Sequence, residues 1–146
     1  MTADVNARNR TSRERLVAVV ARLGDRDVKV DGSWTAAGLL GHLAFWDGFA
    51  LARLDKHLRE GAPLELASEK IADHINAAAM PQWHDTPTAI AGRRAIAAAT
   101  AIEASVAGLP AEVLDRVKAL GVGKTFIVDR SAHRKEHLDQ IERALR

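Results

Sequence analysis

Apolar side chains recur three and four residues apart in several stretches of the chain, which is the spacing of one face of an α-helix. The first stretch begins at Thr11 and Glu14, which fit a capping box that satisfies backbone N–H groups of the first turn. It ends at Gly24, a residue favoured just after the end of a helix. The pattern predicts a helix over residues 11–23, and its apolar face consists of Leu16, Val19, Val20 and Leu23.

A second and longer stretch predicts a helix that begins after Ser33 or Thr35, both of which favour the N-cap position. This helix runs to about Arg59 and ends before Gly61. The stripe that we expect to be buried consists of Leu39, Leu43, Trp46, Phe49, Ala50 and Leu54. His42 lies among these residues, one turn before Trp46, so we expect its imidazole to point into the protein.

The remainder of the chain predicts two further long helices and two short ones. A short helix is expected over residues 67–79, and it ends near Pro81 because proline disrupts a helix interior. An alanine-rich stretch predicts a long helix over residues 86–107, with proline in its first turn. Residues 111–118 add one or two turns, and a last long helix covers residues 125–145. Four long helices without an internal repeat indicate an all-α four-helix bundle.

Length and composition restrict the chemistry that this bundle can perform. The 146 residues fit one domain, residues 1–146, and 47% of them are hydrophobic, as in a globular protein. The chain has no cysteine, which excludes disulfides, thiolate metal ligands and a cysteine nucleophile. A metal ion would therefore be held by imidazoles and carboxylates, and a thiol that takes part in a reaction would come from a small molecule.

Charge and hydropathy argue against large polyanionic partners and membranes. The formal net charge is +2, and no basic run with interleaved aromatic residues is present, so nucleic-acid binding is not expected. The longest apolar runs are too short to span a bilayer. The first ten residues lack the apolar stretch of a signal peptide, so we predict a cytoplasmic protein.

Two histidines in the last predicted helix have the spacing of metal ligands. His133 and His137 are four residues apart, so both imidazoles leave one helix face, one turn apart. The pair alone is also compatible with two solvated histidines, or with a half-buried histidine bonded to a backbone carbonyl. His42 favours the metal interpretation, because three inward-facing imidazoles can satisfy one another through one ion. Three protein ligands would leave a fourth position open for water or substrate, as in catalytic sites.

Three segments resemble one known family. Residues 33–47 resemble the second-helix signature of the DinB/YfiT-like superfamily, in which a Trp-Ser/Thr start leads to His-Leu and then to an aromatic-Asp pair. Residues 132–141 resemble its last-helix signature, His-x-x-x-His followed by Gln-Ile. Residues 73–78 are similar to a segment of members close to the maleylpyruvate isomerase N-terminal domain. The resemblance covers essentially the whole chain in order and spacing.

The resemblance implies a bundle with an up-down-down-up arrangement and frequent homodimers. It also implies a divalent ion, zinc or nickel, on His42, His133 and His137, and all three positions are filled in this chain. Members of the superfamily include thiol-dependent S-transferases that use mycothiol or bacillithiol, thiol-dependent isomerases, and resistance proteins that act on reactive compounds. Because one fold hosts many activities, the resemblance alone does not determine the reaction.

Further residues are candidates for the pocket or for hydrogen bonds that orient the imidazoles. They are Trp46, Asn76, Asp129 and Arg130, together with Asp47. Asp129 lies one turn before His133, although a carboxylate at a helix start is also favoured by the helix dipole alone. No residue is assigned a catalytic role.

The function favoured by these observations is a thiol-dependent S-transferase, or a related detoxifying enzyme, that acts on a small electrophile. One alternative is a non-catalytic stress or sequestration protein that binds a metal or ligand. Another is a hydrolase that uses the ion to activate water against a reactive toxin.

Overall fold

Helices account for most of the chain, and local capping signals explain several of their ends. The computed structural model describes residues 2–65, 67–119 and 127–146. The helices in this part are α1 (Thr2–Leu23), α2 (Ala36–Glu60), α3 (Glu69–Asp85), α4 (Thr88–Ala107), α5 (Ala111–Ala119) and α6 (Ser131–Ala144). The Thr35 side chain caps α2 by accepting from the Gly38 N–H at 3.0 Å, and Gly61 ends α2 in a left-handed conformation with φ of 67°. The predicted all-α class is confirmed.

The first helix begins nine residues earlier than the Thr11 capping box predicts, so that prediction is wrong. The early turns are helical because they pack: Val5 is 1% exposed and Asn9 is fully buried. The Asn9 side chain donates to the Val128 carbonyl at 2.8 Å and accepts from the Arg130 N–H at 2.9 Å. These long-range contacts stabilise the first turns more than a local cap at Thr11 would.

The predicted end of the third helix near Pro81 is also wrong, because α3 continues through the proline to Asp85. The last turn is held by close packing on α2. A Cβ atom added at Gly41 would lie 2.8 Å from the Trp83 indole, and one added at Gly38 would collide with the His84 ring. Both glycines therefore let α3 approach α2 closely.

The last helix begins at Ser131, later than the predicted start near residue 125. Residues 120–126 lie outside the described part, and residues 127–130 are not helical. The Asp129 carboxylate accepts from the Ser131 N–H at 3.2 Å and from the Ser131 hydroxyl at 2.6 Å. A side chain that satisfies these donors favours a turn over a further helical residue at this position.

Four of the helices, α1, α2, α4 and α6, pack as a ring. Helices α1 and α2 each contact both α4 and α6, whereas α3 lies on the outside against α2. The alanine-rich face of α4 lets its neighbours approach, with Ala91, Ala95 and Ala99 all buried. No single helix in the described ranges is long and apolar enough to cross a membrane. Helices α4 and α5 reach that length and apolar content only when they are taken together, and the chain bends by 109° between them.

A buried polar layer divides the core of the bundle into two apolar clusters. One cluster includes Leu16, Leu23, Leu39, Leu43, Leu138 and Ile141. The other includes Val5, Ala50, Leu54, Ile102, Leu114 and Ile127. Between them lie Asn9 of α1, Asp47 of α2 and Arg134 of α6, and none of these is more than 1% exposed. Buried charges need partners. The hydrogen bonds of these three residues connect the layer to the histidines described below.

The contact of α4 with α1 gives a test of the packing. A Cβ atom at Gly92 would lie 2.6 Å from Val20 Cγ1, and a β-branched side chain has little freedom to move away. We expect Gly92→Ala to lower the free energy of unfolding by about 1–3 kcal/mol through overpacking, as measured by urea unfolding.

Gly48→Ala is the matched control for that variant. A Cβ atom at Gly48, also in a helix interior, meets nothing within 4 Å. We expect Gly48→Ala to raise the free energy of unfolding by about 0.5–1 kcal/mol through helix propensity. Equal stability of the two variants would contradict the packing of α4 on α1.

Candidate metal centre

Three histidines from two helices meet inside the bundle. His42 lies on α2, and His133 and His137 lie one turn apart on α6. Each offers a ring nitrogen, and the three nitrogens all lie within 4.8 Å of one another. The ring centroids are 4.7–4.9 Å apart. The structure therefore brings together the three imidazoles that the sequence predicts to converge, and the group can hold a metal ion.

Burial controls the charge of two of these imidazoles. His42 is 6% exposed, and the indoles of Trp34, Trp46 and Trp83 surround it with ring centroids 5.5–6.4 Å away. Burial, followed by the charges of His137 and Arg130, lowers the pKa of His42 to about 3. Burial and then Arg130 lower the pKa of His133 to about 2. Both rings are neutral at pH 7, which is the form that binds metal.

The hydrogen bonds of the ring nitrogens test whether the three residues fit an ion. His137 Nδ1 lies 2.7 Å from Gln140 Oε1, and donation to that oxygen leaves the Nε2 lone pair of His137 unprotonated. His42 Nε2 and His133 Nε2 are 2.9 Å apart. Two imidazole nitrogens on a tetrahedral ion would be roughly 3.3 Å apart, given bonds of about 2.0–2.1 Å. This pair would fit an ion after the two rings separate by a few tenths of an ångström, and the nitrogen of His137 lies within 4.8 Å of both.

Arg130 opposes that fit at His133. Its Nη2 lies 3.3 Å from His133 Nδ1, and a guanidinium can only donate. This contact favours the tautomer that carries its proton on Nε2, the nitrogen that faces His42. Ligation through Nε2 needs the proton on Nδ1 instead, so Arg130 has to turn away from His133 when an ion binds.

A buried ion-pair network positions Arg130. Asp47 Oδ1 accepts from Arg130 Nε at 2.8 Å, and Asp47 Oδ2 accepts from Arg134 Nη2 at 3.1 Å. Arg134 Nη1 in turn donates to the Asn9 carbonyl at 3.1 Å and to the Ser12 hydroxyl at 3.0 Å. The network joins α1, α2 and α6 directly beside the histidines. Asp47 thus binds two arginines, and its role in orienting a ligand imidazole stays a prediction.

The family model of the DinB superfamily matches residues 8–133, most of the chain. The chain belongs to the DinB superfamily. No curated protein and no solved structure matches it significantly. The match includes His42 and His133, whereas His137 lies beyond it and is brought into the group by α6 of this DinB bundle.

A cavity of about 420 Å³ opens beside the histidines of this DinB-superfamily protein. His42 and His133 line it, and its walls include Trp46, Asn76 and Arg130, three of the residues that the sequence places at the pocket. The Trp46 indole donates to Asn76 Oδ1 at 2.8 Å, which joins α2 to α3 across one wall. A small molecule in this cavity would contact two of the three imidazoles.

The fourth predicted pocket residue, Asp129, lies elsewhere. It is not among the residues that line the cavity, and its carboxylate accepts from Arg8 Nε at 2.9 Å and from Ser131. It therefore acts as a carboxylate at the start of α6, which is the alternative that the sequence leaves open.

Two arginines near the DinB site, Arg134 and Arg53, are not among the residues that the sequence predicted there. Arg134 is four residues before Leu138 and seven before Ile141, so helical spacing places it on the buried face. Arg53 lines the cavity, eleven residues after His42 on the same helix. Eleven residues are about three helical turns, so this spacing also indicates a shared face.

Proposed function

We propose that this protein is a metal-dependent S-transferase that joins a low-molecular-weight thiol to a small electrophile. It holds a divalent ion, zinc or nickel, with His42, His133 and His137. The observation that supports the proposal most strongly is the meeting of three imidazoles beside a cavity that two of them line. Bound there, the ion supplies Lewis acidity that favours a thiolate over a thiol near neutral pH.

The residues of the chain supply binding and orientation. Because the chain has no cysteine, the nucleophilic sulfur comes from the thiol substrate. Trp46 offers an apolar wall for the electrophile, and its hydrogen bond to Asn76 fixes the indole. Asp47 holds Arg130 at 2.8 Å and thereby controls how close the guanidinium comes to His133. Burial keeps His42 and His133 neutral and ready to donate a lone pair.

The non-catalytic alternative predicts an occluded or fully coordinated site. The cavity beside His42 and His133 supports an accessible one, and the group within coordination range in the described part consists of three residues. We also propose a cytoplasmic location, where small thiols are kept reduced, and a homodimer.

The proposal predicts thiol conjugation by the full chain. Protein loaded with zinc or nickel is mixed with mycothiol, bacillithiol or glutathione and with monochlorobimane, whose conjugates are fluorescent. We expect at least one thiol to be conjugated about tenfold or more above the rate without protein. His42→Ala should remove this activity, because it removes a ligand.

His74→Ala is the matched control, since His74 is exposed on α3 and lies outside the three-histidine group. It should retain full activity. Absence of conjugation with every thiol would contradict the transferase proposal. Consumption of the electrophile with oxygen incorporated from labelled water would show hydrolysis instead.

A further inference from the structure

Arg53 is a cation in the wall of the cavity, and the groups that bind it in the described part of the chain are neutral. Its side chain is half-buried on α2 and lines the same cavity as His42 and His133. Its Nη1 donates to the Glu65 carbonyl at 2.8 Å and its Nε to the Phe49 carbonyl at 3.3 Å. The guanidinium carbon lies 4.4 Å from the centroid of the Phe49 ring. These contacts hold the head group in place without neutralising it.

The other arginines in comparable surroundings all have a carboxylate partner. Of the five arginines in the described ranges that are not exposed, four have a carboxylate oxygen within 3.1 Å: Arg13, Arg15, Arg130 and Arg134. For Arg53, no ion pair is formed with any carboxylate of residues 2–65, 67–119 or 127–146. The remaining residues of the chain include no aspartate or glutamate. Arg53 therefore has no carboxylate in ion-pair contact among the described residues.

The surroundings of Arg53 are positive. Burial, and after it the charge of Arg130, lowers the pKa of Arg53 to about 10, so the group is still a cation at pH 7. Arg130 is close enough to repel it, and Asp47 does not offset both charges because Arg134 shares its carboxylate. Glu136 is the carboxylate that lines the cavity in the described part, and it is exposed to solvent. An anion entering the cavity would meet a fixed, partly desolvated cation.

Helical spacing places this cation and His42 along one face of α2. His42, Trp46, Phe49 and Arg53 follow one another at intervals of four, three and four residues, which is one face of α2. Arg53 is three turns beyond His42, or roughly 16 Å along the axis at about 1.5 Å per residue. A ligand that reaches from one end of this face to the other would have its reacting atom well separated from its charge.

We propose that Arg53 is an anion subsite, and that a substrate of the three-histidine centre carries a carboxylate remote from its reacting atom. The assignment of the anion to a substrate rests on the proposed function, whereas binding of an anion at Arg53 does not. The carboxylate belongs either to the electrophile or to the thiol. Arg53 is a binding residue in this scheme and takes no part in bond formation.

The binding test uses a matched pair of probes, 4-phenylbutyrate and its neutral amide, which differ in charge and little in shape. Both are titrated calorimetrically into the full chain, once loaded with zinc and once freed of metal by a chelator. We expect the carboxylate to bind at least about tenfold more tightly than the amide in both states. Arg53→Gln should remove that preference, and Arg53→Lys should retain part of it.

Arg59→Gln is the matched control, because Arg59 is an exposed arginine of the same helix and its removal changes the net charge equally. It should leave the preference unchanged. Equal affinity for acid and amide would overturn the proposal, as would a preference that survives in Arg53→Gln or appears only in the zinc-loaded protein. If Arg53→Gln does not fold by circular dichroism, the comparison of Arg53→Lys with native protein decides.

Steady-state conjugation then identifies which substrate carries the anion. If the thiol carries the anion, Arg53→Gln raises the KM for glutathione, which has carboxylates. The KM for mycothiol, which has no carboxylate, then stays unchanged. If the electrophile does, the variant raises KM for an electrophile that bears a carboxylate and leaves the thiol KM unchanged. If the protein prefers 4-phenylbutyrate through Arg53 but conjugates no thiol, the result supports the anion subsite and contradicts the transferase proposal.

Discussion

Replacement of His137 by alanine is expected to abolish stoichiometric binding of a divalent ion. The three imidazoles are the ligands that the structure brings within 4.8 Å of one another, and two of them alone make a weak site. Even loss of a group that hydrogen-bonds to a metal ligand weakens binding by about 10- to 100-fold, so loss of a ligand should exceed that range. Elemental analysis after dialysis against zinc should find about one ion per native chain and almost none per variant.

The His137→Ala chain should remain folded, because alanine is the best helix former and His137 lies in the middle of α6. Circular dichroism checks this point. His74→Ala again serves as the control and should retain the full metal content. If the His137→Ala chain retains its ion, the result contradicts the three-histidine centre and the transferase proposal that depends on it. It would leave the anion subsite at Arg53 open to its own test.

Convergence of the histidines was predictable because helical periodicity determines which residues share a face. The interval of four residues places His133 and His137 together on any α-helix, whatever surrounds it. His42 was predictable as an inward-facing residue because apolar residues flank it at helical spacing. That α2 and α6 lie side by side does not follow from either pattern, and here the family resemblance supplied the partner.

Helix limits were predicted less well, because contacts distant in sequence override local signals. The capping box at Thr11 is a sound local pattern, yet Asn9 binds Val128 and Arg130 and extends α1 beyond it. Pro81 is likewise a normal helix breaker, yet Trp83 packs on Gly41 and carries α3 past it. Neither contact can be inferred from a short stretch of neighbouring residues.

The polar layer was the hardest feature to predict. Asp47 pairs with residues 83 and 87 positions further along the chain, Arg130 and Arg134. A charged residue in a helical sequence usually faces solvent, so a buried charge is recognised only together with its partner. The spacing of Arg134 before Leu138 and Ile141 was the available signal. The spacing of Arg53 after His42 indicates a shared helix face, but its distinguishing property, the lack of a carboxylate partner among the described residues, is visible only in the structure.

The second large effect is expected from Asp47→Ala. This change removes the one carboxylate that both Arg130 and Arg134 bind, and Arg134 is fully buried. A buried charge that loses its partner destabilises a protein by about 3–5 kcal/mol, so we expect a loss of that size in the free energy of unfolding. Urea unfolding monitored by circular dichroism measures it. Arg130 should also lose its hydrogen bond to Asp47, so metal affinity should change together with stability.

Asp55→Ala separates the effect of burial from the effect of charge. Asp55 lies on the same helix and pairs with Arg59, but its side chain is 54% exposed, so its loss should cost less than about 1 kcal/mol. The double variant Asp47→Leu with Arg134→Met should be more stable than Asp47→Ala, because it removes the fully buried charge of Arg134 together with its carboxylate and leaves only Arg130 without this partner. If the double variant is no more stable, the loss in Asp47→Ala comes from a packing defect or from Arg130, and not from the charge of Arg134. If Asp47→Ala loses no more than Asp55→Ala, the polar layer does not join α2 to α6, and the positioning of Arg130 beside His133 needs another cause.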